Sequence, residues 1–109
     1  MIKLVLLFRK REDLTQEQFL AHWNEVHIPL VLKIPNIRRY VTSTVIGTPG
    51  GGSGQRDYDG MAELWFDSEA AALASLDTPE TLATGIDGRN FIMKGSLRRF
   101  YCTEREILS

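Results

Sequence analysis

Apolar residues along this 109-residue chain follow two spacings in turn, one that suits strands and one that suits helices. Residues 2–9 form a β-branched and aliphatic run without a turn residue, which predicts a buried strand. Thr15-Gln16-Glu17-Gln18 then offers a capping box, with Thr15 as N-cap and Gln18 three residues on. Phe19, Trp23, Val26 and Leu30 follow at four- and three-residue spacing, predicting a helix with one apolar face that Pro35-Asn36 closes. Arg38–Ile46 and Tyr58–Phe66 read as a second and third strand. Asp67 and Ser68 can cap a helix over EAAALASL, Thr78-Pro79 restarts helix, and a last strand runs from Leu97 to about Glu106. The order β-α-β-β-α-β predicts an α+β, ferredoxin-like fold: an antiparallel four-stranded sheet with helices on one face, as one domain over 1–109. The strands carry apolar residues on both sides (Leu4, Leu6 and Phe8 against Val5 and Leu7), so a homodimer closing sheet against sheet is expected.

Bulk properties narrow the function classes. Hydrophobic (43%) and charged (25%) shares are those of a globular protein, and a net charge of −1 offers no basic field for nucleic acid. The apolar N-terminus is too short to span a bilayer, and no cleavage site follows, so no membrane partner is expected. The single cysteine, Cys102, cannot form an internal disulfide, which fits a reducing cytoplasm. Residues 47–56, GTPGGGSGQR, lack the strand-then-helix setting of a phosphate loop and read as a hairpin tip.

The densest chemical signal is FLAHWNEVHIPLV, which holds both histidines. On an ideal helix His27 falls roughly 80° round from Phe19, beside Trp23 and the pair Leu20 and Val31, whereas His22 leans toward solvent. A neutral histidine in an apolar wall is both donor and acceptor and titrates near working pH. His27 is therefore the candidate acid/base group, the plainer reading being a core histidine bonded to a carbonyl. The two histidines stand roughly 140° apart on that helix, so no shared metal site is expected. Glu63 and Tyr40, on the third and second strands, are candidates to orient His27 or stabilise a developing enolate. Glu63 is equally an ordinary solvated residue if its face is outward, and for Tyr40 core packing is the leading reading. Arg38-Arg39 and Arg98-Arg99 read as solvated strand-end charges, with anion binding the lesser option.

FLAHWNEVHIPLV, IPNIRRYV and DYDGMAELWFDS, in that order, resemble the EthD family of small bacterial and fungal proteins. The resemblance implies a dimeric α/β-barrel fold and places the family's helix histidine on His27, with His22 a weaker correspondence. It also implies a setting in small-molecule catabolism: the family is named for an accessory protein of ethyl tert-butyl ether degradation and is often described as oxidoreductase. Relatives on the fold include an isomerase, polyketide cyclases and cofactor-free monooxygenases. Two functions follow. One is a cofactor-independent enzyme in which His27 moves a proton beside a carbonyl of a small apolar oxygenated molecule, walled by Phe19, Trp23, His22 and Phe66. The other is a non-catalytic accessory protein of an oxygenase system that binds a small molecule, or haem through His27.

Overall fold

The computed structural model describes residues 1–51 and 56–109; part of the glycine-rich stretch therefore lies outside the described residues. Strands β1 (Ile2–Phe8), β2 (Arg39–Thr44), β3 (Gly60–Phe66) and β4 (Arg98–Thr103) form one sheet in the order β2-β3-β1-β4, each neighbouring pair antiparallel. The ferredoxin-like order read from the chain is thus the observed one, with β2, β3 and β4 each a few residues shorter than expected. Helix α1 (Gln16–His22) starts at the predicted capping box: the Gln18 N–H donates to Thr15 Oγ1 at 3.1 Å, and the Thr15 N–H donates to Gln18 Oε1 at 2.8 Å. Helices α3 (Glu69–Leu76) and α4 (Pro79–Gly88) start at Ser68 and Thr78, whose side chains accept from backbone N–H groups of the first turn.

The helix carrying the histidines departs from the expected wheel. After α1 the chain widens into a π-helical turn, Trp23–His27, before the short helix α2 (Ile28–Val31). The Ile28 N–H reaches back five residues to the Trp23 carbonyl. Pro29 has no N–H to offer Glu25 and crowds that carbonyl, which loosens the ladder at this turn. The turn absorbs one extra residue, so the buried stripe moves from Val26 and Leu30 to His27 and Val31. Val26, expected in the core, is 44% exposed, and Val31 is buried.

Even-numbered positions of β1 and β3 (Leu4, Phe8, Ala62, Leu64 and Phe66) are buried on the helix side of the sheet. A second, aromatic cluster of Phe8, Phe19, Trp23 and Phe91 closes one end, with Phe8 and Trp23 edge-to-face at 5.1 Å. Gly60 permits this closeness, because a Cβ there would stand 2.8 Å from the Phe8 ring and 2.9 Å from Trp23. The opposite face carries Val5, Leu7, Met61 and Phe100 together with the Lys3–Glu63 ion pair at 2.8 Å.

Candidate functional site

Asp87 organises the site. It lies near the end of α4, is 7% exposed, and accepts from three side chains. His22 Nε2 stands 2.9 Å from Oδ1, His27 Nδ1 stands 2.9 Å from Oδ2, and Asn90 Nδ2 donates to Oδ1 at 3.1 Å. Both imidazoles pack against the Phe91 ring, with centroids 5.2 Å away for His22 and 4.7 Å for His27. The π-turn makes this convergence possible: a spacing of five residues, which separates two side chains on an α-helix, brings them to one face here. His22 therefore does not lean into solvent, as the ideal wheel implied; it shares the carboxylate with His27.

A carboxylate only accepts hydrogen bonds, so each ring nitrogen that faces Asp87 carries the proton. Burial alone would raise the Asp87 pKa, but the hydrogen bonds from Asn90, His27 and His22 outweigh it and hold the carboxyl below the ordinary range. Burial lowers the His27 pKa and prevails over the opposing pull of Asp87, so the ring is neutral at pH 7. Neutral His27 protonated on Nδ1 keeps a lone pair on Nε2, and among the described residues no protein group hydrogen-bonds that atom.

His27 lines a cavity of about 760 Å³ between the sheet and the helices, within the range of small-molecule sites. Trp23 and Tyr40 line it too, with apolar walls from Leu6, Val31 and Leu64. Burial pushes the Tyr40 phenol up to about 12, with the Trp23 side chain acting in the opposite sense, so it is a neutral hydroxyl. Several expected residues lie elsewhere. Glu63 occupies the opposite face of the sheet, bound to Lys3, because strand alternation puts odd positions of β3 away from the helices. It cannot orient His27 from there. Phe19 and Phe66 are fully buried in the two cores and do not line the cavity; nor does His22, which is linked to the cavity-lining His27 through Asp87. Arg99 is exposed near the start of β4, as expected of a solvated strand-end charge, and also lines the cavity.

Asp87 and Asn90 escaped the sequence reading. One signal pointed to Asp87: it precedes the buried Phe91 by four residues, which on helical spacing sets a carboxylate on the inward side. A lone aspartate carries no such meaning until its partners are known.

The chain resembles known proteins along most of its length. The family model for the EthD domain matches residues 11–95. An ethyl tert-butyl ether d (EthD) family protein from Bacillus halodurans C-125 is 28% identical in its crystal structure, covering 96% of this chain and 99% of that one at a TM-score of 0.81. An uncharacterized 11.0 kDa protein of the thcB-thcC intergenic region of Rhodococcus erythropolis is 27% identical over 90 residues, 83% of this chain and 84% of that protein. A dimeric protein of unknown function and ferredoxin-like fold from Bacteroides fragilis NCTC 9343 shares the fold, at 21% identity, 93% coverage of each chain and a TM-score of 0.67. Because the family match takes in the histidine helix, β2, β3 and the Asp87 segment alike, this chain belongs to the EthD family.

Proposed function

We propose that this protein is a cofactor-independent acid/base enzyme acting on a small, largely apolar carbonyl compound, with His27 as general base. The observation that carries the reading is that His27, on the wall of a cavity of about 760 Å³, is held by Asp87 at 2.9 Å. Asp87 holds the proton on Nδ1 and so presents the Nε2 lone pair, the same division of labour that a carboxylate and histidine perform in hydrolases. Nε2 takes a proton from carbon beside the substrate carbonyl. The C–H electron pair moves into a carbon–carbon double bond, and the carbonyl π pair moves onto oxygen. Asp87 stabilises the imidazolium that results, and the neutral Tyr40 hydroxyl donates to the enolate oxygen. Return of the proton to a different carbon completes an isomerisation; in a cyclisation the enolate carbon bonds to a second carbonyl carbon, whose π pair moves onto its oxygen, and that oxygen takes the proton back from the His27 imidazolium.

The same reading takes the protein as a homodimer. Apolar residues occupy the sheet face away from the helices, where Phe100 is 46% exposed, and the Bacteroides fragilis relative is dimeric.

The test follows deuterium uptake from heavy water by NMR, using a panel of cyclic ketones, lactones and diketones. Wild type is expected to exchange at least one panel member, with His27→Gln losing about 10²–10⁴-fold. Asp87→Asn is expected to lose about 10²-fold or more, because the amide no longer selects the tautomer. Saturable binding without any exchange in wild type would overturn the enzyme reading and leave the accessory, ligand-binding one.

A further inference from the structure

The charge on the cavity wall is one-sided. Arg89, Lys94 and Arg99 line it, and no aspartate or glutamate does among the described residues. This is not an echo of composition, since the whole chain carries one more acid than base. No described hydrogen bond or ion pair engages the head group of any of the three, although other cations of the chain find partners: Lys3 with Glu63, Arg11 with Asp13, Arg38 with Asp67.

Their positions give the asymmetry a direction. Arg89 and Lys94 bracket Phe91, whose ring packs at a tilt against His27 with centroids 4.7 Å apart, and Arg89 follows Asp87 by two residues. Arg99 stands opposite Leu6 in the β1–β4 register, on the helix side of the sheet, where the alternation of β1 places apolar side chains. Arg89 has a further role, since it caps α4 and a cation there complements the helix dipole. Lys94 and Arg99 have no such structural task.

We infer that the site takes an organic acid, with a carboxylate held by Lys94 and Arg99 and an apolar body lying against Leu64, Val31 and Tyr40. The inference rests on the acid/base reading for what happens to the bound molecule, but its binding claim stands apart from it. A guanidinium offers a carboxylate two parallel donors, and an ammonium on the same cavity wall adds charge without geometric demand. An anion anchored here orients the remainder of the molecule toward the apolar wall beside His27.

Hydrocinnamate, naphthoate and decanoate, each paired with its methyl ester, are titrated into the full-length protein by NMR. At least one acid is expected to bind about tenfold or more tightly than its ester, and the preference should weaken as salt rises. The Lys94→Gln/Arg99→Gln double variant should abolish the preference, while Arg99→Lys with Lys94 intact should keep part of it. His27→Gln should leave the preference unchanged even where deuterium exchange is lost, which separates this inference from the catalytic one. Equal affinity for acid and ester, a preference that persists in the double variant, or no binding by any acid would overturn it.

Discussion

The chemistry of the site comes down to one buried carboxylate and what it asks of its neighbours. Asp87 stays charged although buried because three donors meet it, and it determines which nitrogen of His27 holds the proton. Two pH effects follow. In the proposed reaction His27 must be neutral to act as base, and its pKa is lowered, so kcat/KM for an exchanging substrate should rise through a pKa below the usual histidine value and then stay level. Stability runs the same way. His27 and Asp87 both titrate lower in the folded chain than in the unfolded one. The unfolded chain therefore binds more protons within each window, and stability falls on acidification. The first loss comes as the pH drops from the usual histidine value to that of folded His27, the second between the usual carboxylate value and that of folded Asp87. Denaturant unfolding at a series of pH values should show both steps in wild type, and Asp87→Asn should shrink the lower one, to which Asp13, Asp67 and Glu104 also contribute. A stability that holds steady as the pH falls through the histidine window would contradict the burial of neutral His27.

At the scale of the element, the π-turn deserves its place because it lets an apolar helix stripe admit a histidine. One extra residue between Trp23 and Val31 is looped out, Val26 is turned to solvent, and the residues downstream still meet the core in register. His22 and His27 consequently behave as an i, i+4 pair does on a regular helix. Deleting Val26 should therefore remove the looped-out residue and keep both histidines on Asp87, while Pro29, now inside the helical ladder, costs up to about 3 kcal/mol. Thermal unfolding together with the histidine NMR signals checks this. A collapse of stability would show that the turn is needed for the fold itself rather than tolerated by it.

For the whole molecule, the two faces of the sheet have divided the work. The helix side holds the cavity and the His27–Asp87 pair; the other side holds apolar residues edged by the Lys3–Glu63 pair, the surface proposed above to meet a second copy. Sedimentation should give twice the chain mass of 12.4 kDa, and Phe100→Arg should shift it toward the monomer and lower the unfolding temperature in a concentration-dependent way. A monomer in the wild type at micromolar concentration would remove the dimer from the proposal.

Element order and caps were legible in the chain, because period-two and period-3.6 patterns and the Thr15 and Thr78 caps are local properties, and the ideal wheel already turned His27 partly inward before the π-turn set it on the buried stripe. Even Glu63 was left open for a sound reason: alternation says that neighbours face opposite ways, not which way is in. Three things needed the tertiary structure. The π-turn violates the ideal wheel by a single residue, and that slip changed His22 from a solvent group into a partner of Asp87. Asp87 itself became readable only once α4 packed against the histidine helix, which brought together residues 65 and 60 positions apart in sequence. The cationic rim likewise exists because β4 lies beside β1 while the Arg89–Lys94 segment closes over the same cavity. Local periodicity determines elements and their inward faces; which charges share a space is decided by packing between distant segments, and no pattern along the chain records it.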